Sequence, residues 1–204
     1  MNNESIRIGV LGDIGVGKSE LVHQICHQNA RAPSTISSLV GPAVDVLDFV
    51  RSDGKENIWV EFTIIPSETR HQKSRQMLYD FNLDALFLVC NCSVPKTLLR
   101  ATEWIEEAAA TENLLDVPVA LILGGPRNID WKSSATLTKL VEPLARRCNA
   151  KILDMSGYIA SFALEPRQRL VLGDFYEQVY SHKKSKAGTK RMSSLLASSS
   201  RHRK

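Results

Sequence analysis

One short segment near the start of the chain restricts the possible folds more than any other. Residues Gly12–Ser19 read Gly-Asp-Ile-Gly-Val-Gly-Lys-Ser and satisfy the pattern G-x-x-x-x-G-K-[ST]. The apolar run Ile6–Leu11 before it predicts a strand, and Leu21, Val22 and Ile25 after it recur at helical spacing. A strand, a glycine-rich turn and a helix, in this order, are the context that the pattern requires in a phosphate-binding loop. We therefore expect an α/β fold with a phosphate site at the end of its first strand.

The residue types of this loop explain how it would hold phosphate. Its three glycines allow the backbone to curl so that successive N–H groups point at phosphate oxygens. The helix that follows presents its positive end to the same anion. Lys18 would neutralise the terminal phosphates, and the Ser19 hydroxyl would join a magnesium shell as the metal ligand. The predicted cofactor-binding residues of the loop are Gly12, Asp13, Ile14, Gly15, Val16, Gly17, Lys18 and Ser19.

The rest of the chain alternates between strand-like and helical patterns. Two extended runs, Ala43–Arg51 and Asn57–Ile65, are joined by Ser52–Glu56, and the Asp53-Gly54 pair in this connection is a good hairpin signal. Arg31–Pro42, before them, is rich in Ser, Pro and Ala and is typical of a loop. We predict an α/β three-layer sandwich with a mostly parallel six-stranded sheet, one antiparallel hairpin strand and helices on both faces. The later strands are expected at Asp84–Cys90, Val117–Leu123 and Lys151–Leu153, and the later helices at Lys96–Thr111, at Ser133–Arg147 and after Pro166.

Charge is distributed unevenly along the chain. The segment after His182 carries eight of the 26 Lys and Arg residues and no acidic residue, which leaves 18 basic against 22 acidic residues before it. Few large apolar residues occur in this segment, so we predict a folded domain over residues 1–182 and a disordered basic tail over residues 183–204. The tail could contact an anionic membrane or RNA, act as a nuclear import signal, or remain solvated.

Composition and cysteine usage indicate a cytoplasmic protein. The chain is 43% hydrophobic and 24% charged, as in ordinary globular domains. Residues Met1–Arg7 include polar residues where a signal peptide would need an apolar run, and no apolar stretch reaches membrane-spanning length. The four cysteines form no C-x-x-C pair, so we expect reduced thiols rather than a zinc site or a redox pair.

From Ile6 to about Tyr180 the chain resembles the small GTPases of the Ras superfamily and, within them, the Rab-like branch. The likeness lies in the phosphate loop, in Val44-Asp45-Val46 and in the order of the elements. The early hairpin argues against P-loop nucleotide kinases, whose sheets are parallel throughout. The resemblance implies GTP or GDP with Mg²⁺ as ligand, and a switch that recruits protein effectors or regulators. It leaves open whether two copies form a homodimer. Rab-type proteins carry C-terminal cysteines for prenylation, and none follows Cys148, so we expect no prenyl anchor.

The chain departs from this family at the end of the third strand. The family has Asp-x-x-Gly-Gln there, in which Asp reaches magnesium through water and Gln orients the attacking water. In register with it this chain has Ile64-Ile65-Pro66-Ser67-Glu68. Ile64 cannot ligate magnesium, and Pro66-Ser67 replaces the freely rotating glycine. Glu68 is the candidate catalytic residue that could accept a proton from water, against the alternative of a solvated acidic side chain.

The base-reading motifs and the first switch also differ. Where the family has Asn-Lys-x-Asp, this chain has Gly124–Asn128, so the base-reading carboxylate is replaced by the Asn128 amide, which accepts fewer bonds from guanine. Ser156 matches the serine of the last family loop. Ile14 replaces a small residue, and its branched side chain would crowd the γ-phosphate. The candidates for the magnesium-covering threonine of the first switch are Thr35, Ser37 and Ser38, although the best register places Leu39 there.

Three functions remain open at this point. The first is a degenerate small GTPase that binds GTP or GDP, hydrolyses slowly or not at all, and works by binding proteins. The second is a scaffold that uses the fold without nucleotide. The third is an NTPase of relaxed base specificity that accepts ATP. The intact loop at Gly12–Ser19 beside the altered Ile64–Glu68 segment favours the first.

Overall fold

A computed structural model describes residues 4–27, 43–54, 56–68, 71–157 and 163–201, with the backbone alone for residue 72 and residues 188–201. The loop predicted at residues 31–42 and the first-switch candidates within it lie outside the described residues. The strands are β1 (Glu4–Leu11), β2 (Ala43–Val50), β3 (Asn57–Ile64), β4 (Ala85–Asn91), β5 (Val119–Gly124) and β6 (Ala150–Asp154). The helices are α1 (Lys18–Cys26), α2 (Gln72–Tyr79), α3 (Lys96–Ala109), α4 (Ala135–Arg147) and α5 (Pro166–Arg201), with a 3₁₀ turn at Glu112–Leu114.

The described strands form one six-stranded sheet in the order β2-β3-β1-β4-β5-β6. β2 pairs antiparallel with β3, and the other neighbours pair in parallel. Ile8 of β1 lies beside Phe62 of β3 on one side and beside Ala85 of β4 on the other. This arrangement confirms the predicted α/β fold with a mostly parallel sheet and one antiparallel hairpin strand.

Two apolar cores cover the two faces of the sheet. Ile6, Ile8 and Val10 of β1 pack with residues of α1 and α5, and Leu86, Leu88 and Cys90 of β4 pack with residues of α2, α3 and α4. β4 is buried on both faces, which explains why its sequence is a continuous apolar run. At the edge of the sheet, β2 instead alternates between exposed and half-buried residues.

Helix α5 continues without a break past His182, where the sequence predicted the start of a disordered tail. The Lys183 ammonium donates to the carbonyl of Ser5 at 2.7 Å and pairs with Asp84 at 2.8 Å. Lys184 pairs with Glu4. These partners hold the two lysines against the sheet, and the division into a domain over residues 1–182 and a tail over residues 183–204 stays a prediction.

The four cysteines are free thiols in the structure. Burial raises the pKa of the Cys26 thiol to about 12, and it also raises the pKa of the Cys90 thiol. Such thiols are weak nucleophiles at neutral pH. Among the described residues, no helix is both long and apolar enough to cross a membrane.

Candidate phosphate-binding site

The glycine-rich loop lies at the point where the chain changes direction across the sheet. It follows β1, which has β3 on one side and β4 on the other. The helix after the loop leads to the β2–β3 edge, whereas β4, β5 and β6 extend the sheet the opposite way. Ligands of open α/β sheets bind at such a switch point, beyond the carboxyl ends of the strands. The predicted phosphate loop is therefore in the expected place.

The backbone of the loop requires glycine at its two ends. Gly12 has φ of 140°, and a Cβ added there would lie 2.3 Å from the Val89 carbonyl oxygen. Gly17, with φ of 91°, caps the start of α1 in the left-handed region. Side chains other than hydrogen are strained at both positions.

Lys18 is the buried polar centre of the loop, with only 8% of its surface exposed. Its ammonium donates to the carbonyl oxygens of Gly12 at 2.7 Å and Asp13 at 3.0 Å, and to the hydroxyl of Ser67. The Ser67 hydroxyl in turn donates to the Gly12 carbonyl at 2.9 Å. Burial lowers the pKa of Lys18 from 10.5 to about 8, and the charges of Asp13 and Glu20 oppose that shift.

The contact between Ser67 and Lys18 was not predicted from the sequence. From the sequence alone, Ser67 stands out only as part of the replacement for a family glycine. The chemistry of lysine does indicate that such a contact is needed, because an ammonium has three donors and a buried lysine needs an acceptor for each of them.

Asp13 directs its side chain toward α3. Its carboxylate accepts from the Trp104 indole N–H at 2.9 Å and pairs with Arg100 at 3.3 Å. Only the main chain of Asp13 therefore faces Lys18. Of the other loop residues, Val16 is buried in the core beside α1 and α5, whereas Ile14 is 70% exposed.

The segment after β3 is held by a second polar group. Arg75 of α2 makes a two-point contact with Glu107 of α3, at 2.6 and 2.8 Å, and also donates to the Glu68 carbonyl at 2.9 Å. Its guanidinium lies over the Trp104 ring. The hydrogen bonds that Arg75 donates to the Glu107 carboxylate raise the pKa of Arg75 above its ordinary value. Because Trp104 also binds Asp13, the phosphate loop and the segment after β3 share one support.

A magnesium ion finds few ligands among the described residues. Ser19 lies at the start of α1, where its hydroxyl suits the metal, but Ile64 ends β3 as a buried apolar residue beside Val10. The Asp13 carboxylate is already paired. No group of three or more His, Cys, Asp or Glu side chains in the described part of the chain is arranged to hold a metal. Mg²⁺ sites use one or two carboxylates besides phosphate oxygens, so these residues do not fit a strong magnesium-binding site.

The two remaining predicted ligands lie on neighbouring loops. Asn128 is exposed on a turn after β5, and Ser156 follows β6. The two loops are joined by the bond from the Gly157 N–H to the Gly125 carbonyl, at 2.8 Å. The Ser156 hydroxyl donates to Asp154 at 2.6 Å. Ser156 lines a cleft of about 720 Å³ at the ends of β5 and β6.

Glu68, the candidate catalytic residue, is half-buried directly after Ser67. Its carbonyl accepts from the His71 N–H at 3.0 Å in addition to Arg75. Ser67, the residue before Glu68, contacts Lys18 and Gly12 of the phosphate loop, so Glu68 lies close to that loop. Its role in activating water stays a prediction.

A six-stranded sheet with one antiparallel edge strand, and a glycine-rich loop around a buried lysine at the end of β1, is consistent with the G domain of a small GTPase. Two curated proteins of Arabidopsis thaliana are similar to the chain. Small GTPase LIP1 is 29% identical over 116 residues, which are 52% of this chain and 33% of that protein. Small GTPase-like protein LIP2 is 28% identical over 131 residues, which are 59% of this chain and 38% of that protein. The matched residues thus span between about a third and two fifths of the length of these relatives. No protein-family model matches it.

Proposed function

We propose that this chain is a guanine-nucleotide-binding regulatory protein of the small GTPase kind, with Rab-like character. It binds GTP or GDP, hydrolyses weakly or not at all, and acts in trafficking or signalling by binding protein effectors or regulators. The observation that carries the proposal is the buried Lys18, held inside a glycine-rich loop at the switch point of the sheet. The similarity to two small GTPases supports the guanine nucleotide as ligand.

Phosphate binding is assigned to the loop and the start of α1. The N–H groups of the loop would cradle the inner phosphates, and Lys18 would supply a positive charge in a poorly solvated place. In small GTPases a bound magnesium ion neutralises charge on the outer phosphates. Ser19 would be its ligand from this chain.

Weak hydrolysis follows from the residues that surround the loop. Ile64 supplies no oxygen for magnesium, and Glu68 brings a negative charge where a neutral amide would orient water. Pro66 also restricts the segment, because its φ is fixed by its ring. The proposal therefore predicts that the chain binds guanine nucleotide but hydrolyses it slowly or not at all.

Protein contact is supported by the open face of the β2–β3 hairpin. Val44, Val46 and Val50 of β2 are exposed, and so is Trp59 of β3. The strand register places their side chains on one face of the sheet. Exposed apolar groups gathered on one surface are typical of binding sites for other proteins.

Any anionic membrane contact is assigned to the basic segment after His182.

The test is thermal unfolding of the whole chain with GTP, GDP, ATP or no nucleotide, with the Lys18→Ala variant beside it. A ligand of the folded state raises the unfolding temperature. We expect guanine nucleotides to raise it in the natural chain and to have no effect in the variant. Equal shifts with ATP and GTP would favour the NTPase of relaxed specificity, which the exposed amide at Asn128 supports.

The second candidate is a scaffold that needs no nucleotide. It is favoured by one observation, that the Lys18 ammonium already donates to three protein acceptors. Absence of any shift with every nucleotide, in the natural chain and in a Ser67→Ala variant, would replace the first proposal with this one.

A further inference from the structure

The three N–H groups of Lys18 are matched by three protein acceptors. Two of the acceptors are carbonyls of the phosphate loop itself, at Gly12 and Asp13. The third is the Ser67 hydroxyl, which comes from the segment after β3. Because an ammonium has three donors, an anion can gain a hydrogen bond from Lys18 only when one acceptor leaves. The loop carbonyls are fixed by the turn, so Ser67 is the acceptor that must move.

Several contacts hold Ser67 in this place. Its hydroxyl donates to the Gly12 carbonyl at 2.9 Å, so it bridges lysine and loop. The carbonyls of its two neighbours, Pro66 and Glu68, accept from the Arg75 guanidinium at 3.4 and 2.9 Å. Arg75 is in turn fixed by its two-point contact with Glu107. Displacing Ser67 therefore disturbs a segment that two helices hold.

We propose that Ser67 is a specificity-determining residue, whose hydroxyl takes the place on Lys18 that the terminal phosphate of a nucleoside triphosphate would need. The inner phosphates depend mainly on the backbone N–H groups of the loop rather than on the lysine. A diphosphate therefore binds with Ser67 in place, whereas a triphosphate must break its contact with Lys18. The inference rests on the proposed nucleotide binding, and it makes the site selective for the diphosphate.

The test compares dissociation constants for GDP and for 5′-guanylyl imidodiphosphate, which is not hydrolysed, by calorimetry on the full chain with Mg²⁺. Ser67→Ala removes the hydroxyl, and Ser67→Gly also frees the backbone. Ser74→Ala is the matched control, because Ser74 is exposed on α2 and loses the same group away from the loop. We expect the natural chain and the control to prefer GDP by about tenfold, the order of one hydrogen bond to a charged group. Both Ser67 variants should bind the two nucleotides with similar affinity, because binding of the triphosphate analogue tightens.

The outcomes separate the inference from the proposed function. Nucleotide binding with the same preference in Ser67→Ala overturns the inference alone, and so does weaker triphosphate binding in that variant, since the hydroxyl would then assist phosphate. Binding by the Ser67 variants but not by the natural chain also overturns both, because each requires the natural chain to bind GDP with Ser67 in place. Absence of binding in every form overturns both. Thermal unfolding of each variant without ligand shows whether it is folded. If Ser67→Gly is not folded, the nucleotide affinities of Ser67→Ala alone decide the outcome.

Discussion

The ammonium of Lys18 lies in a place that controls when it carries its charge. Burial lowers its pKa from 10.5 to about 8, and Asp13 and Glu20 limit the shift. A lysine whose pKa is lower in the folded than in the unfolded chain destabilises the fold while it is charged, below about pH 8. As the pH rises from about 8 toward 10.5, this group adds stability because the unfolded chain then binds more protons. Phosphate binding should follow the opposite trend, because it needs the charge.

We predict that nucleotide affinity falls as the pH rises through about 8, and that binding above this pH takes up a proton. Calorimetry at pH 7 and pH 9, in buffers of different ionisation enthalpy, measures both quantities. Lys139→Ala, an exposed lysine on α4, should leave the profile unchanged. An affinity that is constant from pH 7 to pH 9 would contradict the prediction.

The Asp13 carboxylate offers a second prediction at the residue scale. Asp13→Ala leaves the buried indole N–H of Trp104 without its acceptor, so we expect the free energy of unfolding to fall by about 2 kcal/mol. Asp13→Asn keeps an acceptor for Trp104 and loses only the pairing with half-exposed Arg100, so its loss should be smaller. Urea unfolding of the two variants gives the comparison, and equal losses would show that the bond to Trp104 contributes little.

At the scale of elements, α2 and α3 hold the segment after β3 through Arg75 and Glu107. The two side chains are largely buried and meet at two points, which is the geometry that arginine favours with carboxylates. Tyr79 adds a hydrogen bond to the same carboxylate at 3.2 Å. The position of Ser67 on Lys18 thus depends on how two helices pack.

We predict that Arg75→Ala lowers the free energy of unfolding by about 3 kcal/mol, because it leaves the Glu107 carboxylate unpaired. It should also speed amide hydrogen exchange at His71, whose N–H donates to the Glu68 carbonyl. Arg75→Lys keeps the charge without the two-point contact, so an intermediate loss is expected. If exchange at His71 is unchanged in both variants, Arg75 does not hold this segment.

Most of the fold could be predicted from the sequence, whereas most contacts of the site could not. The hairpin at Asp53-Gly54 and the loop at Gly12–Ser19 are encoded within a few residues, so local patterns indicate them. The bond between Lys18 and Ser67 joins residues 49 positions apart, and the pair Arg75–Glu107 joins residues 32 positions apart. Such contacts depend on which strands are neighbours in the sheet. The direction of the Asp13 side chain was missed for the same reason, since Trp104 is 91 positions away.

At the scale of the whole molecule, α5 connects the end of the folded chain to the beginning of the sheet. Lys183 contacts Ser5 and Asp84, and Lys184 contacts Glu4. The Asp84 carboxylate also accepts from the Arg7 N–H at 2.9 Å, so it joins β1, the start of β4 and α5. Disorder of the basic segment is predicted from its composition alone. Composition does not show that a distant residue such as Asp84 can pair with Lys183.

We predict that a chain ending at residue 182 is less stable than a chain ending at residue 187. The loss should be about 1 kcal/mol, since Lys183 is partly exposed and water screens its pairing. A domain of this size should then unfold about 2–4 °C lower. Lys186→Ala in the longer chain is the control, because Lys186 is exposed. Equal unfolding temperatures for the two chains would show that the lysine contacts add nothing.

The lysines of α5 and the phosphate loop lie at opposite ends of β1. Lys184 pairs with Glu4 at the first residue of the strand, and the loop begins after Leu11 at its last residue. Eight residues of extended chain separate the two ends by about 25 Å, several times the Debye length at physiological ionic strength. Charge at Lys183 and Lys184 is therefore largely screened by salt from a nucleotide on the loop. A surface or partner that binds these lysines would leave the nucleotide site facing away from it. The bound nucleotide could then exchange with nucleotide in the bulk solution.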